Sequence, residues 1–291
     1  MCDRDHLAEM DVKAGVSRRE FGAIGAIGAM AALAACASVE AQAQEGGLTE
    51  RDVSFAAPGG TLDAFFVHPA TGKHPAVILW PDIAGLRDAK KVMARRLAAA
   101  GFAVFVPNPF YQDAPAPQFA DFAAFRDGGG FQKVGPWMAK NTHAAVTGAA
   151  QAIVAWLDQQ GAVDTAKGIG NQGYCMGGPF TVRTAAAVPG RVKAAASFHG
   201  GGLVGDAPDA PINLLKDTQA SYLIAIAKND DARAPAEKDQ LCVAMDAAGR
   251  RAEIEVYEGD HGWTVPDSPV YNQAAADRAW ERLLDLYKTA L

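Results

Sequence analysis

From residue 53 to the C-terminus, short apolar runs alternate with longer segments of helical periodicity. Residues 53–57 and 62–68 flank Pro58-Gly59-Gly60 and predict an antiparallel hairpin. Further strands are predicted over 76–80, 102–106, 168–170, 194–198, 222–227 and 252–257. Helices are predicted over 90–100, 142–159, 180–188, 236–248 and 273–288, with Gly101 and Gly161 closing the first two. The strand runs are rich in Val, Ile, Ala and Phe and lack polar alternation, which suits strands covered on both faces. The expected fold class is therefore α/β: a doubly wound, mostly parallel sheet with the antiparallel N-terminal hairpin at its edge.

One segment breaks the alternation. Between residues 108 and 140 stand Pro109-Phe110-Tyr111, Ala114-Pro115-Ala116-Pro117, Phe119, Phe122, Phe125, three glycines at 128–130, and Pro136-Trp137. Long irregular connections in compact domains are usually functional. Leaving the C-terminal edge of a strand, this one is placed to wall a pocket. The alternative is a surface excursion whose aromatic residues pack it down.

The N-terminus reads as an address. Ser17-Arg18-Arg19-Glu20-Phe21-Gly22 precedes an apolar Gly/Ala-rich run over 23–35, which is short for a membrane span of about 20 residues. A twin arginine before such a run is the signal of the Tat translocase, so export is expected; a chance Arg-Arg before a core helix is the alternative. Ala41-Gln42-Ala43 fits a signal-peptidase site, whereas Leu33-Ala34-Ala35-Cys36 matches a lipobox that would leave a lipid anchor on Cys36. These divide the chain into a signal segment 1–43, a polar linker 44–51 and a catalytic-type domain 52–291. The location implied is periplasmic, or membrane-anchored as a lipoprotein.

Composition adds exclusions. A net charge of −6 with no basic stripe argues against nucleic acid as a partner. Of 4 cysteines, only Cys175 and Cys242 lie beyond the signal segment. The oxidising compartment permits a disulfide between them. However, Cys242 sits inside a helical pattern and reads as a small buried hydrophobe. His68, His74 and His143 have no ligand spacing with Cys, Asp or Glu, so no metal site is expected.

The chemistry centres on Gly173-Tyr174-Cys175-Met176-Gly177-Gly178. Gly-x-nucleophile-x-Gly between strand and helix forms a strained elbow, with small residues where side chains would clash. Asp230 follows the strand over 222–227, and His261, in Glu258-Gly259-Asp260-His261-Gly262, follows the strand over 252–257. Nucleophile, acid and histidine in this order is the order of α/β-hydrolases. Cys175 is the expected nucleophile, His261 the base, and Asp230 the residue holding the imidazole, with Asp231 as the alternative acid. The oxyanion hole is expected from the amides of Met176 and Ile83, the latter in the loop after the strand over 76–80. Asp82 in that loop is expected either to modulate the thiol or to cap residues downstream. His199-Gly200-Gly201-Gly202 looks like a lipase oxyanion motif but follows the nucleophile, so it is read as a glycine-rich loop near the pocket rim.

Residues 52–291 resemble the dienelactone hydrolase family of α/β-hydrolases. The resemblance rests on Asp82-Ile83-Ala84-Gly85, the Gly-Tyr-Cys-Met-Gly-Gly elbow, Asp230, the Glu-Gly-Asp-His-Gly motif, and the tail with Tyr271, Ala274, Ala275, Ala279 and Trp280. It implies a monomeric hydrolase with a Cys-His-Asp triad, no cofactor, and a small-molecule ester or lactone substrate. It also implies that an acidic residue at the position of Asp82 restrains the thiol, where the family usually has Glu. The family's dienelactone enzymes carry a carboxylate-binding arginine four residues after the histidine. Val265 stands there instead. The competing reading is an exported, non-catalytic binding or scaffold protein that keeps the hydrolase fold.

Overall fold

The computed structural model describes residues 47–291. The signal segment, both processing sites and Cys36 fall outside the described residues. Eight strands form one sheet in the order β1-β2-β4-β3-β5-β6-β7-β8. They are β1 (Leu48–Ala57), β2 (Gly60–Pro69), β3 (Ala76–Trp80), β4 (Ala103–Pro107), β5 (Ile169–Tyr174), β6 (Val192–Phe198), β7 (Ser221–Ala227) and β8 (Ala252–Tyr257). β1 pairs with β2, and β2 with β4, antiparallel; every other pairing is parallel. The expected doubly wound sheet with an antiparallel hairpin at its edge is what is found.

Helices cover both faces. α1 (Asp88–Ala99) precedes β4; α2 (Phe122–Asp127), α3 (Gly130–Met138) and α4 (His143–Leu157) lie between β4 and β5. α5 (Gly178–Ala187) follows the elbow, and α6 (Pro211–Leu214) leads towards β7. α7 (Lys228–Arg233) and α8 (Glu237–Ala247) precede β8, and α9 (Gln273–Ala290) ends the chain.

Adjacent strand residues point to opposite sides, yet both sides are buried. Phe66, Ile78 and Phe105 pack with α4, α5 and α8, through Ile153, Leu157, Phe180, Leu241 and Met245. Phe65, Val77, Leu79, Val104 and Val106 pack on the other face with α1 and α9, through Leu97, Ala279, Leu283 and Tyr287. This two-sided burial explains why the strand runs read as continuously apolar.

Two boundaries differ from the sequence reading. Residues 48–51, expected as linker, belong to β1, whose register pairs Thr49 with His68 and Arg51 with Phe66. Their polar character reflects an edge strand: Glu50 pairs with Arg95 at 2.6 Å and Asp52 with Lys91 at 2.9 Å, both at the surface. The irregular segment between β4 and α4 contains α2 and α3, too short and glycine-interrupted to show periodicity. Their apolar residues Phe125 and Val134 pack with Phe119, Phe110 and Ala84 in a separate cluster, against which Ile83, Trp137 and Met176 lie.

The chain passes from β3 outward to β4, then crosses back to β5 on the other side of β3. A crevice therefore opens at the C-terminal ends of β3 and β5, where strand order reverses. Phe66 anchors the hairpin side of the sheet, fully buried and edge-on to Trp156 at 5.1 Å. Phe66→Ala is expected to destabilise the fold by about 3–5 kcal/mol, read by denaturant unfolding.

Candidate active site

The elbow sits at this crevice. Cys175 directly follows β5 and adopts a left-handed backbone, φ 52°, a conformation that costs a non-glycine residue and persists only where its surroundings impose it. The imposing contact is close packing. A Cβ on Gly177 would lie 2.6 Å from the Pro81 carbonyl oxygen and 2.7 Å from that of Trp80. On Gly178 it would lie 2.5 Å from Gly200 Cα. Glycine at these positions lets the turn press against the loop after β3 and the loop after β6.

Asp230 and His261 are brought together from the ends of β7 and β8. His261 Nδ1 and Asp230 Oδ2 are 2.6 Å apart. Asn229 Oδ1 accepts the His261 backbone N–H at 2.9 Å, tying the two loops a second time. Asp231, the alternative acid, turns away and accepts from Lys238 Nζ at 2.6 Å. Asp230, rather than Asp231, is therefore the carboxylate on the imidazole.

Cys175 also acts on the imidazole. The His261 pKa is raised to about 9, first by Cys175 and then, against burial, by Asp230. Cys175 and Asp230, 86 and 31 residues from His261 in sequence, thus converge on it. Cys175 and Cys242 are both free thiols.

Asp82 has partners that the sequence did not reveal. Both oxygens of its carboxylate are taken by cations. Arg87 Nη1 lies 2.8 Å from Oδ1, Arg87 Nη2 3.1 Å from Oδ2, and Lys90 Nζ 2.8 Å from Oδ2. All three side chains are buried. Burial opposes ionisation of Asp82, but Lys90 and Arg87 outweigh it and hold the carboxyl well below the usual range. Arg87 also spans to Asp267, with Nε and Nη2 each 2.7 Å from its oxygens, and Asp267 accepts the Phe122 N–H at 2.9 Å. This network ties the β3 loop, the start of α1, the loop beyond His261 and the start of α2.

Asp82 has a local effect as well. Its Oδ1 accepts the Ala84 N–H at 2.9 Å, and its carbonyl accepts that of Gly85 at 2.9 Å. These bonds take up the Ala84 and Gly85 amides of the turn, and Ile83 stands between them and Asp82. Val265, four residues beyond His261, is buried in the core.

Sequence reasoning missed Arg87, Lys90, Asp267 and His199. A cation at position 90 in an otherwise apolar helical face is a signal for a buried ion pair, but nothing local pointed to Asp267. His199, read as part of a rim loop, is buried beneath His261, with ring centroids 4.9 Å apart.

A mostly parallel sheet flanked by helices, with Cys175, Asp230 and His261 following β5, β7 and β8, is an α/β-hydrolase fold. The dienelactone hydrolase family model matches residues 62–291, and the chain belongs to that family. It is 27% identical over 251 residues to a Salmonella typhi protein named "Putative carboxymethylenebutenolidase", covering 84% of this chain and 88% of that one. A protein of the same name from Methylorubrum extorquens is 28% identical over 248 residues, covering 83% and 81%. Among solved structures, the "Putative Dienelactone Hydrolase" of Klebsiella pneumoniae superposes with a TM-score of 0.70 at 22% identity, covering 83% of this chain and 99% of that one.

Two outcomes test this geometry. Asp230→Asn is expected to bring the His261 pKa down from about 9 towards the ordinary imidazole value of ~6.5, whereas Asp231→Asn leaves it in place; NMR titration of the His261 ring reads both. Arg87→Ala, which removes one of the two cations on buried Asp82 and the cation on Asp267, is expected to cost roughly 3–5 kcal/mol in denaturant unfolding.

Proposed function

We propose that this protein hydrolyses carboxylic ester or lactone bonds through an acyl-enzyme on Cys175. The observation that carries this reading is the 2.6 Å contact of His261 with Asp230, on an imidazole whose elevated pKa traces first to the Cys175 sulfur. The names of the relatives, carboxymethylenebutenolidase and dienelactone hydrolase, support the same bond type.

Each step follows from the positions. The Cys175 thiolate, paired with protonated His261, attacks the carbonyl carbon and a C–S bond forms. The oxygen gains negative charge, which the N–H groups of Met176 and Ile83 stabilise. The C–O bond to the leaving alcohol then breaks, and His261 gives its proton to that oxygen. Water attacks the thioester, His261 takes a proton from it, and the C–S bond breaks to release the acid. Throughout, Asp230 keeps the imidazole in one tautomer and balances its positive charge. The reaction draws on no cofactor in this reading.

Export by the Tat translocase is also proposed, on the strength of Arg18-Arg19 and the apolar run after it, with maturation at Ala43 or lipidation at Cys36. Mass spectrometry of the mature N-terminus from cells decides between those two ends, and retention of residues 1–43 in mature protein would refute export.

The enzymatic reading is tested on p-nitrophenyl acetate and a simple lactone. Cys175→Ala is expected to lower kcat on the order of 10³-fold or more. Turnover equal to the wild type in that variant would remove the mechanism.

A further inference from the structure

His199 is a buried imidazole beside the triad for which the mechanism above has no use. It ends β6, between the strands that deliver Cys175 and Asp230. Only 2% of it is exposed, and its backbone is left-handed, φ 41°. Such a conformation is strained for a residue with a Cβ. A strained, buried polar residue is retained where the surrounding structure over-determines it, often at a functional site.

The determinants are specific. The His199 N–H donates to Ala225 O at 2.8 Å, and ring Nε2 meets Thr264 Oγ1 at 3.1 Å. Its ring lies against Trp263, 5.2 Å between centroids at 67°. Ring Nδ1 is buried without a hydrogen-bond partner among the described residues. The one catalytic-type group it touches is the His261 ring, 4.9 Å away at 60°.

His261 needs such a contact. Its loop is glycine-flanked, with Gly262 at φ 108°. The Asp230 bond fixes Nδ1, and Asn229 fixes the backbone, but neither prevents the ring from swinging about the line to the carboxylate. That swing would carry Nε2 away from the sulfur.

We propose that His199 is a positioning residue: its fixed ring is the stop that holds the His261 imidazole in the plane joining Asp230 and Cys175. This rests on the reading of Cys175, His261 and Asp230 as the reactive set. Neutrality is part of the role. The charged groups acting on His199 are His261 from the loop after β8, Lys90 on α1 and Asp82 in the β3 loop; its nearest ring from β5 is Tyr174. Burial, then the charge of His261, hold His199 well below the usual imidazole range. One proton therefore resides on His261 without a second beside it. An aromatic ring without charge also presents a favourable face to an imidazolium.

The test uses His199→Ala, His199→Phe and His199→Gly in the full chain. With p-nitrophenyl acetate, the Ala and Gly variants are expected to lose about 10- to 100-fold in kcat with KM little changed, as for a misplaced catalytic group. Phe restores a ring and is expected to recover most of the loss. Gly relieves the left-handed strain, so it melts above Ala while being as slow, which separates positioning from folding. Alkylation of Cys175 by iodoacetamide gives a readout that does not need turnover. Its rate at one fixed pH is expected to fall in Ala and Gly but not in Phe. Ala or Gly variants within threefold of wild type, or Phe no better than Ala, would overturn the proposal. Wild-type protein that alkylates faster than its His199→Ala variant yet hydrolyses no ester would refute the function above and leave the His199 inference standing.

Discussion

The contact on which the active site depends is the approach of the elbow backbone to the loop after β3. Gly177 lies so close to the carbonyls of Trp80 and Pro81 that a Cβ would stand 2.6 Å from one of them. That approach requires the chain to turn sharply at the end of β5, and Cys175 takes up the turn at φ 52°. The turn that sets Cys175 at the end of β5 is thus a consequence of one packing constraint at the point where strand order reverses.

Charge is handled differently on the two sides of the elbow. On the β3 side, Asp82, Arg87, Lys90 and Asp267 form a closed set of partners, mostly buried. Such a set is rigid, because each member removed takes a partner from a charge in a poorly solvated place. Its members hold four segments together, including the start of α2, and none is left to meet a substrate. On the other side, His261 is only partly buried and faces a sulfur, a carboxylate and a neutral ring.

The two histidines show how environment divides labour between identical side chains. His261 gains anionic partners and its pKa rises to about 9. His199, fully enclosed and next to that cation, is pushed the other way. Burial and neighbouring charge thus drive the proton affinities of two adjacent rings apart.

The sequence by itself determined the fold class, because two-sided burial makes parallel strands read as continuous apolar runs and helices as periodic ones. It also determined the elbow, since Gly173, Gly177 and Gly178 around Cys175 are a local steric requirement, and it ordered Asp230 and His261 at strand ends. It did not show the strand at 48–51, whose polar edge residues look like linker, nor the short helices α2 and α3. Tertiary structure alone decided between Asp230 and Asp231, since adjacent carboxylates differ only in the direction a short helix turns them. It alone gave Asp82 to Arg87 and Lys90 and joined Asp267 to Arg87 across 180 residues. It alone set His199 under His261. Local sequence encodes backbone preference and burial, whereas partners of charged and aromatic side chains are fixed only when distant strand ends converge on one rim of the sheet.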